Sequence, residues 1–267
     1  MFSRFYNLAF NPFDKALDPK QAHVTADFKE FNARMDHLLD TGGIGLMCAS
    51  SGYGKTYACR SWAAAQNKNR IHFSYICFST ITTSEFYRSL CYELGVEPAF
   101  KKVDMFRAIQ EQLSYSAAEK GIRTIIVIDE AQYLKSEILR DLKMLTNFQM
   151  DSKNYLTLVL MGQPMLADLL MRPANEALRQ RIVVNYIFSG LRSEEAEQYT
   201  ASLIRSAQGS PDIFDKAAIR SAYGASGGSI RKYNAIITAS LMIGEQNEAA
   251  SIDTDMVLSA IEGVSIK

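Results

Sequence analysis

The stretch that most narrows what this chain can fold into is Ala49-Ser50-Ser51-Gly52-Tyr53-Gly54-Lys55-Thr56. An apolar run, Ile44-Gly45-Leu46-Met47-Cys48, precedes it and has the length of a short buried strand. Tyr57 to Ala65 follows, with an apolar face at helical spacing. Strand, glycine-rich turn, Lys-Thr and helix is the order in which backbone amides gather round a phosphate. Gly52 and Gly54 let the chain curl with several N–H groups pointing inward, and the positive end of the following helix faces the same hole. Lys55 is placed to reach β- and γ-phosphates, and the Thr56 hydroxyl to ligate magnesium. Ser51, Gly52, Tyr53, Gly54 and Tyr57 complete the candidate nucleotide contacts of this loop. Ala49 stands where the pattern G-x-x-x-x-G-K-T has its first glycine. That position ends the strand and contacts phosphate least, so a methyl group is tolerable there.

Thr124-Ile125-Ile126-Val127-Ile128-Asp129-Glu130 is the second strong signal. Its β-branched run suits a strand buried on both faces, and it ends in two carboxylates. In a doubly wound sheet such an acidic strand end lies beside the phosphate loop. Asp129 would hold magnesium through water, and Glu130 would polarise the attacking water as a general base. The alternative is a solvated strand end. The separation from Lys55 leaves room for a helix, a strand and further helices, which favours the functional reading.

Elsewhere strands and helices alternate. Ile71 to Ile76 reads as a strand, and Ser84 as the cap of a helix through Tyr92. Val103 to Lys120 reads as a long helix with Met105, Ile109, Leu113 and Tyr115 as its apolar stripe. A helix from Glu137 to Phe148, a strand from Tyr155 to Met161, a short helix from Met165 to Met171 and a strand from Val183 to Phe188 follow. Thr25 caps an earlier helix running to Leu39. This alternation implies an α/β fold with a parallel sheet flanked by helices. Gln163, at a strand tip, either reaches a γ-phosphate or marks a simple exit into a turn. Arg179 and Arg181, just before the last strand, are either surface charges or groups projecting onto a neighbouring subunit's nucleotide.

From Ser193 the texture changes to four helices, read as Ser193 to Gln208, Asp212 to Tyr223, Arg231 to Gly244 and Thr254 to Glu262. They form a small all-helical lid, and Arg231 at a helix start can fold back onto a nucleotide. The N-terminal run Phe5 to Phe13 is aromatic; it either packs its rings on the core or, through Asn11 and Pro12, lines an adenine pocket. The expected division is an arm over 1–24, a nucleotide-binding domain over 25–190 and the lid over 191–267.

Lys plus Arg and Asp plus Glu are equal at 29 each, so no global charge draws the chain to nucleic acid or membrane. Cys48, Cys59, Cys77 and Cys91 form no C-x-x-C pair and read as reduced, buried thiols. The N-terminus lacks a signal-peptide layout, and no apolar run is long enough to span a bilayer. A cytoplasmic protein without a membrane partner is expected.

Taken together, the order resembles the AAA+ ATPases. More narrowly, Phe10-Asn11-Pro12-Phe13, Asp129-Glu130-Ala131-Gln132, the strand Leu158 to Pro164 and Leu178-Arg179-Gln180-Arg181-Ile182 look like the ExeA/TniB/TnsC group. The resemblance implies a P-loop fold of the AAA+ type with ATP and Mg2+ as cofactors. It puts Lys55 and Thr56 in the Walker A pair, Asp129 and Glu130 in Walker B and Gln163 at sensor 1. Arg181, with Arg179 close behind, falls at the arginine finger and Arg231 at sensor 2. ExeA-type secretion ATPases carry a transmembrane segment and a wall-binding part after the ATPase. The chain's end after the lid points instead to a stand-alone transposition accessory ATPase. Such proteins assemble as a ring or helical filament on duplex DNA when ATP-bound, without sequence selectivity, and direct a transposase to target DNA. Lys101-Lys102 and the loop from Ser79 to Thr83 are candidate DNA contacts, or solvated surface. The alternative role is secretion or assembly work on protein partners.

Overall fold

A computed structural model describes residues 2–18, 23–77, 81–149 and 152–264. In chain order its helices are α1 (Phe2–Phe5), α2 (Ala26–Thr41), α3 (Lys55–Ala65), α4 (Thr83–Glu93), α5 (Lys102–Ala118), α6 (Ser136–Leu145), α7 (Met165–Met171), α8 (Glu176–Arg179), α9 (Ala196–Ser206), α10 (Lys216–Ser226), α11 (Ile230–Gln246) and α12 (Thr254–Val264). Its strands are β1 (Gly43–Cys48), β2 (Ile71–Cys77), β3 (Arg123–Asp129), β4 (Leu156–Gly162) and β5 (Ile182–Ile187). The chain divides into two compact units.

One unit comprises Glu30–Ala49 and Lys55–Phe188 and holds the sheet. Its five strands are all parallel, in the order β2-β3-β4-β1-β5. The central strands are the apolar runs, because a parallel strand covered by helices on both faces has no solvent side to fill with polar residues. Ile125, Ile126, Val127 and Ile128 of β3 are all buried, as is every residue of β4. Cys48 pairs with Gly162 and Cys77 with Asp129, so the strands bearing the loop and the acids end along the same sheet edge. On one side Phe86, Leu90, Met105, Ile109, Leu113, Ile138 and Leu142 close the core.

Four local expectations change here. Thr82, not Ser84, caps α4, because Glu85 stands three residues on and completes a capping box: Thr82 Oγ1 accepts the Glu85 N–H and the Glu85 carboxylate accepts the Thr82 N–H at 2.7 Å. Tyr115 is half exposed, and Ser116 takes its place in the buried stripe of α5. Two residues beyond Leu113 lie about 200° round a helix, off the face that Met105, Ile109 and Leu113 share. Helix α6 stops at Leu145, and Phe148 instead makes an antiparallel bridge with Lys153. Cys77, expected buried, is exposed at the end of β2, whereas Cys48, Cys59 and Cys91 are buried.

The other unit comprises the residues up to Lys29, Ser50–Gly54 and the chain from Ser189 onward. Helices α9 to α12 bury Leu203, Ile204, Tyr233, Ile236, Ile237 and Leu241 in a separate core. Phe2, Tyr6, Leu8 and Phe13 are buried in that same core. The Tyr6 hydroxyl donates to the Ala249 carbonyl at 2.9 Å, and the Ala9 N–H to the Ala207 carbonyl at 2.8 Å. The aromatic N-terminus is thus part of the helical unit's core. Among the described residues no strand follows β5; Phe214 and Ile252 make one isolated parallel bridge.

Candidate functional site

In the sheet unit the site grows from two chain segments. Lys55 and Thr56 open α3, and Asp129 and Glu130 end β3. Lys55 Nζ lies 2.7 Å from Asp129 Oδ1, and the Thr56 hydroxyl donates to Asp129 Oδ2 at 2.9 Å. Both partners of the ion pair are buried, with 8% of the Lys55 side chain and 2% of the Asp129 side chain exposed. Glu130 Oε1 stands 3.4 Å from the same ammonium. The Glu130 N–H donates to Asp129 Oδ1 at 2.8 Å. The Tyr75 hydroxyl, from the neighbouring strand β2, donates to Asp129 Oδ2 at 2.6 Å.

Burial pulls the Asp129 carboxyl upward, but the hydrogen bonds from Lys55 and Tyr75, the Lys55 charge and the Glu130 N–H outweigh it. Its net pKa therefore lies below the usual carboxylate value, and the group is ionised at neutral pH. Tyr75 goes the other way, pushed up by burial and then by its bond to Asp129. Cys59, behind the site, is pushed up to about 12 by burial, then by the Asp129 charge, and stays an inert thiol.

Glu130 has φ 55°, the left-handed region that non-glycine residues rarely occupy. This turns the chain sharply out of β3 into the 3-10 turn Ala131–Tyr133. Gln132, on that turn and only 8% exposed, donates from Nε2 to Glu130 Oε2 at 2.6 Å. Its Oε1 accepts the main-chain N–H of Gln163 at 3.1 Å.

The loop residues Ser50–Gly54 belong to the helical unit. Gly52 has φ +83° and Gly54 φ +91°. A Cβ on Gly52 would collide with Ser229 Oγ, so glycine is required there on conformational and steric grounds alike. The Arg231 N–H donates to the Gly52 carbonyl at 3.1 Å and its guanidinium to Ser51 Oγ at 3.3 Å. The Tyr53 hydroxyl donates to the Gly227 carbonyl at 3.0 Å.

The remaining candidates stand as follows. Gln163 is half buried at the tip of β4. Arg179, in α8, donates to the Met171 carbonyl at 3.4 Å, and Arg181 is half buried just before β5. Asn11 spends its side-chain oxygen on the Phe13 N–H at 3.0 Å, and Pro12 is buried. Tyr57 is half buried in the first turn of α3 and stacks with the Arg60 guanidinium, 5.2 Å from its ring centre. The Lys102 ammonium is paired with Asp141 and lies 5.3 Å from the Tyr87 ring centre. Of the Ser79 to Thr83 loop, Ser79 and Thr80 lie outside the described residues; Thr82 is committed to its cap and Thr83 bonds Glu137 at 3.1 Å. Tyr75 and Gln132 were missed in the sequence. Nothing marks Tyr75 beyond strand alternation, and the signal for Gln132 was its place two residues after Glu130.

The donor set suits a magnesium–nucleotide complex. A hydroxyl and a carboxylate converge beside a lysine at a helix start, all oxygen ligands for a hard cation. Among the described residues no group of three or more His, Cys, Asp or Glu could cage a metal alone. A cation here must complete its shell with water and phosphate oxygens, as magnesium does.

A family described as an AAA domain matches residues 37–170, half of the chain. The chain belongs to the AAA domain family. This AAA protein is 29% identical over 246 residues to general secretion pathway protein A of Aeromonas hydrophila, covering 91% of the chain and 44% of that protein. It is 28% identical over 146 residues to the ATP-dependent target DNA activator B of Escherichia phage Mu, covering 54% of the chain and 43% of that protein. These matches set it in the ExeA/TniB-like group of AAA+ proteins. The chain spans less than half the length of these curated relatives. Among solved structures, Cdc6p from Pyrobaculum aerophilum superposes with TM-score 0.72 at 16% identity, covering 96% of this chain and 72% of that one, which supports the AAA+ fold. No helix among the described residues is long and apolar enough to cross a membrane.

Proposed function

We propose that this AAA protein binds and hydrolyses ATP with magnesium, and uses the cycle to assemble on duplex DNA and direct a transposase to its target. The observation that carries the ATPase reading is the meeting of Lys55 and Thr56 with Asp129 within 2.7–2.9 Å. Lys55 exchanges the Asp129 carboxylate for β- and γ-phosphate oxygens when nucleotide enters. Backbone amides from Gly52 to Thr56 grip the same phosphates. Thr56 and Asp129 would hold magnesium, which would supply charge neutralisation on the phosphate oxygens. Glu130 takes the proton of the attacking water. Gln163 contacts the γ-phosphate, Arg231 binds phosphate beside Ser51, and Asn11, Pro12 and Tyr57 border the nucleotide. Arg181, or Arg179, reaches the nucleotide of a neighbouring subunit, so that turnover depends on assembly.

The DNA reading rests on the likeness to the phage Mu target DNA activator. The chain is charge-neutral, so DNA contacts would be local, largely to phosphates and weakened by salt. The test pairs calorimetric titration of Mg-ATP with size-exclusion chromatography and filter binding, with and without an ATP analogue and duplex DNA. Heat on titration, with ATP-dependent and salt-sensitive assembly on DNA, supports the reading. Absence of heat from folded protein overturns the ATPase part; ATP-independent, salt-insensitive binding overturns the DNA part.

A second reading has its own observation: an alignment covering 91% of the chain is to a general secretion pathway protein. Under it the ATPase cycle is the same, and the partner is a protein of an assembly apparatus. ATP-dependent capture of a membrane protein encoded beside it, with no retention of DNA, would favour that role.

A further inference from the structure

A chain of hydrogen bonds runs from Ala49, just past the end of β1, to the candidate base. The Ala49 N–H donates to the Gly162 carbonyl at 3.0 Å. The N–H of that same peptide group, belonging to Gln163, donates to Gln132 Oε1 at 3.1 Å. Gln132 Nε2 donates in turn to Glu130 Oε2 at 2.6 Å. Every step lies in the sheet unit. The channel for this amide is built into the backbone: a Cβ on Gly162 would stand 2.5 Å from Gln132 Oε1. Only glycine at the tip of β4 lets the Gln132 amide lie against it. Glu130 itself hangs from a left-handed backbone position outside the strand. Without a tether its carboxylate would sample several rotamers.

We infer that Gln132 is the positioning residue for Glu130, an amide bridge that fixes the base relative to the tip of β4 and the end of β1 within the sheet unit. The inference rests on the ATPase reading above and adds a residue to it. The bond to Gln132 pins Oε2 and leaves Oε1, the oxygen facing Lys55 at 3.4 Å, to accept the water's proton. Because an amide presents a donor and an acceptor on one rigid plane, it alone among uncharged side chains of this length joins the carboxylate to the Gln163 N–H. Bonds in such a series polarise one another, so a displacement of the β4 tip by nucleotide is felt at Glu130.

Two substitutions separate positioning from structure. Gln132→Glu keeps the shape and can still accept from the Gln163 N–H, but cannot donate to Glu130 and repels it. Gln132→Ala loses both bonds. Both variants are expected to bind an ATP analogue with affinity near wild type while kcat falls by roughly ten- to a hundredfold, a split that marks lost transition-state alignment. Hydrogen exchange supplies a readout independent of turnover: the Gln163 amide stays protected in the Glu variant and loses protection in the Ala variant. Wild-type kcat in Gln132→Glu, or an equally protected Gln163 amide in Gln132→Ala, overturns the inference. Glu130→Gln run alongside distinguishes the failures. If it turns over normally, the base is misassigned and the underlying reading falls with this one. If it is inactive while Gln132→Glu is not, only the bridge is wrong.

Discussion

Tyr75 and Thr56 donate to the same carboxylate oxygen, Asp129 Oδ2, at 2.6 and 2.9 Å. One comes from β2 and the other from α3, so the acid is aimed from both sides by groups far apart in sequence. Hydrogen bonds to an ionised group contribute more than neutral ones. Tyr75→Phe is expected to lower stability by about 1–2 kcal/mol, read from urea denaturation. It should also raise the magnesium concentration needed for half-maximal nucleotide binding by about tenfold, as loss of an outer partner of a ligand does. An unchanged magnesium dependence would detach Tyr75 from the cation.

Lys55 and Asp129 form a buried pair, and removing one partner strands the other's charge. Lys55→Ala is expected to cost about 3 kcal/mol, the low end for such pairs, because Thr56, Tyr75 and the Glu130 N–H still serve Asp129. Lys55→Ala should also abolish nucleotide binding in calorimetry. A variant as stable as wild type would mean that the pair adds little to the fold.

The depressed Asp129 pKa fixes the sign of an acid effect. A carboxyl with a lowered folded pKa adds stability that is fully present above its unfolded value, about 3.9. That stability is lost as pH falls through the lower folded value. Stability from this group is therefore flat from neutrality to about pH 5 and declines below about pH 4. Denaturation midpoints for wild type and Asp129→Asn should converge in that acid range; parallel curves would show that Asp129 is not the titrating group.

Gly52 and Gly95 both have positive φ, +83° and +68°, but a Cβ meets Ser229 Oγ at Gly52 and nothing within 4 Å at Gly95. Gly95→Ala is expected to cost about 1–2 kcal/mol from the left-handed backbone alone and to leave ATP binding intact. Gly52→Ala adds a steric clash in the loop and should eliminate ATP binding. Equal behaviour of the two variants in a binding titration would contradict the loop geometry.

Phe13 is buried at 5% exposure in the core of the helical unit. Phe13→Ala is expected to destabilise that unit by about 3 kcal/mol, measurable as a lowered melting transition. A melting curve unchanged by the substitution would show that the N-terminal aromatics lie on that core without contributing to it.

The loop, the acid pair and the parallel α/β plan were legible in the sequence because each depends on local chemistry. Gly52 and Gly54 are needed for curling, an apolar run of β-branched residues for a two-sided strand, and carboxylates at its end for a polar site where the parallel strands finish. The capping of α4 was misplaced by two residues because three adjacent hydroxyls compete, and only the reciprocal bond with Glu85 settles which one wins. Tyr115 is apolar enough to suit the stripe of α5, but its helical angle takes it off the buried face. What only the tertiary structure decided is which groups serve the acids. Tyr75 lies 54 positions from Asp129, and the Gln163 N–H meets Gln132 across 31. Both contacts arise because parallel strands joined through helices bring their C-terminal ends to one edge, and no local pattern in the chain records which ends will be neighbours.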